Sequence, residues 1–479
     1  MKNILIAIRS IFKKGRHNVM KIVSLGIGLA VGLVLIAKVY FEQSYDDFYP
    51  DRDRVYQVWA KYQQNGGELK DYPQTSGGIA PTMQQQIPEI ETVTRYTSFG
   101  DWTFTMTDTK MKYSGRCIIA DSCFFDILPR PMLIGNAKEV LSTPMYVLIS
   151  SRIAKNIGGD VIGKNFTVDN SPGRTMTIGG VFEEVPENSH SRYDVIVSMA
   201  SAGRFMWEGS PTNMLGNDRY ISYVKLHKGV NPLALEEQVR TFVNSYFPPE
   251  EQQKVGLSID FSFHKLDNLH KELPQVKRMT WILSLLAFAL IFTAVMNYIL
   301  IVISSIVNRS KEVAVHKCYG ASENNIHGMM FGEALVHIVL SLILALLLIL
   351  AFRGTVEELL ATSLDSLLLS NGSLVLLGIC ILVFFVSGFM PGSLYARIPV
   401  ASAFRNYREN KRIWKKALLL VQFVATGFLV TMLVFVARQY TFMVNDRPGY
   451  AYENLAYCGL AGVDSTSRAK ILDEVMRLP

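Results

Sequence analysis

Apolar residues gather in five long blocks, at Met20 to Phe41, Met279 to Val307, Gly328 to Ala351, Ser373 to Leu394 and Ala417 to Val436. Each is long enough to cross a bilayer as a helix, which takes about 20 residues. The pattern changes between the first two blocks. Glu42 to Arg278 alternates short runs rich in Val, Ile and Tyr with stretches of helical spacing, and is far too long for a connecting loop. It predicts strands at Arg54 to Lys61, Arg116 to Ile119, Met145 to Ile149, Thr175 to Val181, Asp194 to Met199 and Tyr220 to Lys225. Helices are predicted at Thr82 to Gln86, opened by Pro81, at Arg152 to Asn156, capped by Ser150 or Ser151 and stopped by Gly158-Gly159, and at Leu233 to Tyr246. The fold class that follows is an α-helical membrane protein with a large α+β extracytoplasmic domain inserted between the first and second transmembrane helices.

Charge sets the orientation. Lys2, Arg9, Lys13, Lys14, Arg16 and Lys21 precede or open the first block, and Arg397, Arg405, Arg408, Lys411, Arg412, Lys415 and Lys416 lie between the fourth and fifth. Basic flanks stay in the cytoplasm. The N-terminus is therefore expected inside, Glu42 to Arg278 outside, Asn308 to His327 inside, and Arg353 to Asn371, where Glu357, Glu358 and Asp365 outnumber Arg353, outside. The first block reads as an uncleaved anchor, since no small-residue cleavage site follows it. Lys38, near its outer end, is expected to reach the headgroups with its ammonium.

Composition agrees with a membrane class: 49% hydrophobic against 19% charged residues, with mean hydropathy +0.20. The net charge of +7 is accounted for by the basic flanks on anionic lipid, so nucleic acid is not an expected partner. Five cysteines carry no metal spacing, and Cys117 and Cys123 read either as a disulfide or as two independent small residues. No catalytic, cofactor-binding or metal-binding residue is expected. The one Gly-Lys, Gly163-Lys164, is followed by Asn165 and makes no phosphate loop, and the eight histidines are scattered.

The most distinctive segment joins the second and third blocks: Asn308-Arg309-Ser310-Lys311-Glu312-Val313-Ala314-Val315-His316-Lys317-Cys318-Tyr319-Gly320-Ala321-Ser322. It reads as a short amphipathic helix, with Val313, Val315 and Tyr319 supplying apolar contacts and Arg309, Lys311, Glu312 and Lys317 polar ones. Gly320 ends it and Ser322 caps the next helix. Such a helix either docks into a partner's groove or lies among the headgroups. Glu333 and His337, one turn apart in the third block, are ionisable residues in a costly place. They read as a proton relay, or as Glu333 near the cations of the preceding helix and His337 bonded to a neighbouring helix.

This segment resembles the coupling helix of MacB/FtsX-like permeases of ABC transporters. The likeness extends to Ala120-Asp121 with Phe124-Phe125, Gly163-Lys164, Gly180-Val181, Pro186-Glu187-Asn188-Ser189-His190, Gly332-Glu333-Ala334, and the run from Tyr395 to Arg405. Asn156-Ile157-Gly158-Gly159 lacks the aromatic usual before the glycine, and His316-Lys317-Cys318-Tyr319 replaces a basic-Ala-Leu run, which leaves subfamily and cargo open. The resemblance implies a non-catalytic permease subunit of a bacterial inner membrane. Its expected partners are membrane lipid, a second copy or repeat in a dimer or pseudo-dimer, a periplasmic or outer-membrane protein, and a separate cytoplasmic ABC ATPase that carries the ATP and Mg. The ATPase would dock at Arg309, Lys311, Glu312, Val313, Val315, Lys317, Tyr319, Gly320, Ala321 and Ser322, and drive export, extraction or mechanotransmission. The alternatives are an FtsX-like regulator of the envelope and a transmembrane sensor or receptor. Residues 440 to 479 repeat the pattern that follows the first block, with a strand expected at Leu455 to Gly459 and a helix running to Leu478-Pro479, and are expected to begin a second, truncated outer domain.

Overall fold

The computed structural model describes residues 17–168, 171–216, 218–369, 372–396, 400, 413–445 and 465–477. The chain divides into a membrane unit, residues 1–43 with 274–453, and an outer unit, residues 44–273 with 454–479.

Among the described residues of the membrane unit, five helices are long and apolar enough to cross a bilayer: Asn18–Gln43, Pro274–Ser304, Glu323–Ala351, Ser373–Ala396 and Ile413–Asn445. The first, second and third pack as a core of Leu25, Leu29, Ala294, Tyr298, Ile299, Ile338 and Ala345. Small residues make this close. A Cβ added at Gly28 would stand 2.2 Å from the Cβ of Ala294, and one at Gly32 2.4 Å from Cγ1 of Ile291, so this Gly-x-x-x-Gly stripe lets the first and second spans approach backbone to backbone. The third span starts at Glu323, five residues before the apolar block, because Ser322 caps it there. The basic runs at 1–16 and 401–412, and the strand expected at Leu455 to Gly459, lie outside the described residues. A helix is present at Ser465–Met476, with none of its residues buried.

The outer unit is α+β. Its strands are β1 (Val55–Gln64), β2 (Lys70–Tyr72), β3 (Ile90–Met106), β4 (Lys112–Ala120), β5 (Met132–Ile134), β6 (Tyr146–Ser150), β7 (Asn165–Val168), β8 (Ser171–Phe182), β9 (Val195–Ser198), β10 (Ile221–Leu226) and β11 (Leu257–Lys265). They form one sheet in the order β11-β1-β10-β3-β4-β9-β6-β8-β5, with β2 beside β1 and β7 bridging β3 and β8. β4 runs parallel to β9 and β6 to β8, while the other neighbours are antiparallel. The 17-residue β3 spans the sheet's two halves: its first part pairs with β10 and its last with β7. One half buries Val58, Ile79, Met83, Val239, Phe242 and Phe261 under helices Ile79–Gln86 and Glu236–Tyr246. The other buries Phe104, Phe166, Val147, Ile149, Val195 and Met176.

All six expected strands are present, with ends shifted by a few residues. β3, β5, β7, β11 and β2 come in addition. β3 is broken by Glu, Arg, Ser, Gly and Asp, and β11 alternates Ser, Asp and His with its apolar residues, so neither carries an unbroken apolar run. The helix expected from Thr82 begins at Ile79, which places Pro81 within its first turn. Ser150 caps Ser151–Ile157 by accepting from the Ile153 N–H at 3.4 Å, and Gly158 and Gly159 follow at positive φ. Cys117 and Cys123 are free thiols, which settles their reading against a disulfide: Cys117 is sealed within the sheet, and the Cys123 thiol donates to the Val93 carbonyl oxygen at 3.0 Å.

Candidate functional site

The segment singled out between the second and third spans folds as the helix Ile306–Cys318. Its start follows directly on the second span, where the Ser305 hydroxyl donates back to the Val302 carbonyl at 2.6 Å. Its end is fixed by sequence. Gly320 takes φ +86°, the Ala321 N–H reaches back to the His316 carbonyl at 3.0 Å, and the Gly320 N–H bonds the Lys317 carbonyl at 3.0 Å. This double closure satisfies carbonyls that would otherwise lack partners, and it needs a residue without a Cβ. Two residues later Ser322 opens the third span by accepting from the Asn325 N–H at 3.3 Å. The turn therefore joins two helices with no slack residue.

The helix has two unlike faces. Ser310, Val313 and Ala314 are buried, the last two joining Ile326 and Met330 in the membrane core, with Ala321 packed against them. Lys311, Val315, His316, Cys318, Tyr319 and Ser322 are exposed, with Val315 at 44% and Tyr319 at 90%. Positions 311, 315 and 319 fall on one stripe. Glu312 and Lys317 sit half-buried at the border. The expected apolar contacts therefore divide: Val313 anchors the helix inward, and Val315 and Tyr319 point outward. Arg309 lies in the helix, but its side chain falls outside the described ones.

Glu333 and His337 are both buried in the third span, and each meets a different neighbour. Glu333 pairs with Lys21 of the first span at 3.5 Å, and Lys21 also donates to the Asn18 side chain at 3.3 Å. Glu333 lies ten residues into the span, on the side that meets Lys21 of the first helix. His337 bonds the Tyr298 hydroxyl of the second span at 3.2 Å. Lys38 departs from its expected place among the headgroups. It is buried, ion-paired to Glu42 at 2.7 Å and bonded to the Thr362 hydroxyl at 2.8 Å, which gives the ammonium partners inside the protein.

In the outer unit, two motifs that sequence named separately meet. Asp46, fully buried at φ +60°, accepts from the Ser189 hydroxyl at 3.0 Å and pairs with His190 Nδ1 at 2.7 Å. The other ring nitrogen of His190 meets the Tyr223 hydroxyl at 2.5 Å. Burial pushes the Tyr223 phenol well above its usual range. The Asn188 amide donates to the Ser44 carbonyl at 2.7 Å. Beside this knot Lys271 bridges Asp47 at 3.3 Å and Asp267 at 2.8 Å, while Arg52 stands 3.6 Å from Asp267. The segments by which the chain enters and leaves this unit are thus cross-linked. Sequence reasoning missed this: Asp46 and His190 are 144 residues apart, and the only signal was two polar motifs with no assigned role.

Comparison with known families matches residues 20–242 to the MacB-like periplasmic core domain and residues 284–400 to the FtsX-like permease C-terminal region. No curated protein matches. Among solved structures, a domain of a permease protein from Porphyromonas gingivalis is 33% identical, covering 45% of this chain and 91% of its own, with TM-score 0.42. The periplasmic region of MacB from Actinobacillus actinomycetemcomitans is 14% identical over 46% of this chain and 91% of its own, with TM-score 0.31. The extracellular domain of the noncanonic ABC-type transporter YknZ from Gram-positive bacteria is 10% identical over 44% of this chain and 98% of its own, with TM-score 0.31.

Proposed function

The chain belongs to the MacB/FtsX-like permeases of ABC transporters, and on that premise we propose that it is the non-catalytic membrane subunit onto which a separate cytoplasmic ATPase docks at the helix Ile306–Cys318. The family implies an ABC ATPase partner, on which ATP and Mg would be bound, and a dimeric assembly. The observation that carries the docking is the outward pair Val315 and Tyr319 on a helix whose opposite face is buried and whose end is closed by Gly320. An exposed aromatic next to Lys311 and His316 is the composition of an interface anchor. Because the helix is continuous with the second span and one tight turn from the third, a push on it reaches the bundle without being absorbed by a loop. The bundle in turn continues into the cross-linked entry and exit of the outer unit. The work done is export, extraction or mechanotransmission at the inner membrane, with the N-terminus in the cytoplasm.

Affinity purification of the full chain from its native host, followed by identification of retained proteins, tests this. The expected outcome is recovery of an ABC ATPase with the wild-type chain and a loss of tenfold or more with Val315→Asp plus Tyr319→Asp, in line with about 2 kcal/mol for an interface anchor. Undiminished recovery with both substitutions would overturn the docking assignment. Glu312→Arg, and Gly320→Pro, whose ring cannot take φ +86°, are expected to leave the ATPase bound but to uncouple its turnover from the permease in a reconstituted complex.

A further inference from the structure

The outer unit contains a cavity of about 470 Å³ whose lining is chemically one-sided. Arg116 of β4 and Arg192, just ahead of β9, open onto it together with His190 and His270; Trp59 and Tyr45 add aromatic surface, and no carboxylate lines it among the described residues. Both arginines also border a neighbouring groove that holds Asp101, Glu184, Glu187 and Asp194. Arg152, which lines the same groove, takes Asp194 at 2.6 Å and Glu184 at 3.3 Å. Among the described residues neither Arg116 nor Arg192 forms an ion pair. Arg192 instead donates to the Glu187 carbonyl oxygen, which holds its guanidinium in position. Two wall residues are covalent neighbours of membrane helices, since Tyr45 stands two residues past the end of Asn18–Gln43 and Leu273 directly precedes Pro274–Ser304.

We propose that this cavity binds a phosphate group, with Arg116 and Arg192 as its ligands. Two guanidinium forks without carboxylate partners suit a tetrahedral oxyanion, which accepts paired N–H donors from each. His190 is engaged on both nitrogens by Asp46 and Tyr223, so it serves as fixed wall and the arginines as the recognising groups. Leu269 and Leu273 supply apolar wall for the part of the molecule that follows the phosphate. The two sources of such a group are a phospholipid headgroup and free phosphate.

The test uses the purified full chain in detergent, titrated calorimetrically with short-chain phosphatidylglycerol, short-chain diacylglycerol and inorganic phosphate. Phosphatidylglycerol is expected to bind and diacylglycerol, which lacks the phosphate, to fail. Arg116→Gln with Arg192→Gln should weaken binding about tenfold or more, the loss of charge-assisted hydrogen bonds, while Arg152→Gln should leave it unchanged. Inorganic phosphate binding as tightly as the lipid would assign the site to free phosphate, and much weaker binding would assign it to the headgroup; both uphold the proposal. A second measurement needs no variant: phosphatidylglycerol or phosphate should protect Arg116 and Arg192 of the wild-type chain from phenylglyoxal, read by peptide mass mapping. Diacylglycerol binding as well as phosphatidylglycerol, or no protection of either arginine by any phosphate probe, overturns it.

Discussion

Lys21 and Glu333 stand where a lone charge is hardly tolerated, so each depends on the other. Lys21→Met is expected to cost about 3–5 kcal/mol by leaving the carboxylate without its ammonium, whereas Lys21→Met combined with Glu333→Leu recovers most of the loss. Thermal unfolding in detergent decides it, and equal Tm values for single and double variants would defeat the pairing. Asp46 offers a cleaner substitution, because Asn also tolerates φ +60° and so removes the charge and one acceptor oxygen without straining the backbone. Asp46→Asn is expected to loosen the knot by about 1–3 kcal/mol, seen as faster hydrogen exchange at 44–49 and 186–191. Acid should act on Asp51, whose carboxyl is held below the usual range by hydrogen bonds from Arg54 and then Lys225. A lowered carboxylate contributes stability above its unfolded value of 3.8 and loses it as pH falls through the folded one. Asp51→Asn should therefore flatten the acid limb of the stability curve below about pH 4, a small effect for a surface group.

The spans, the helix Ile306–Cys318 and the six denser strands were legible because each announces itself locally, through an apolar run, a cap or a cluster of Val and Ile. Ser322 and Gly320 were readable in the same way, and both act as caps in the structure. β3 was not, since its stability comes from neighbours on both sides rather than from its own composition. The pairing of Lys21 with Glu333, and of Asp46 with His190, was invisible for a related reason: tertiary partners 312 and 144 residues apart leave no periodic trace. The glycines of the first span show what packing adds to the pattern. Gly28→Val must push Ala294 away and is expected to lower Tm markedly, whereas Gly378→Ala in the fourth span, where an added Cβ meets nothing within 4 Å, should be tolerated. Comparable losses at the two positions would show that close approach of the first two spans is unimportant.

For the whole molecule, the sidedness of the membrane is the claim most easily checked. Cys318 is exposed at the end of the helix Ile306–Cys318, while Cys117 is buried and Cys123 and Cys380 are half-buried. With Cys458 replaced by Ser, a membrane-impermeant maleimide should label Cys318 in inside-out vesicles and spare it in intact spheroplasts; labelling from outside would invert the topology. The first span carries the further consequence. Its two buried ammoniums, at Lys21 and Lys38, are 17 residues apart, or about 25 Å along a helix, close to the thickness of the hydrocarbon layer. One is held by the third span and the other by Thr362, in the loop just beyond that span. A piston stroke of the first helix past the third, even by a single turn, would part Lys21 from Glu333 and Lys38 from Thr362 together. These two helices are bolted as a pair, free to tilt or turn together but not to slide.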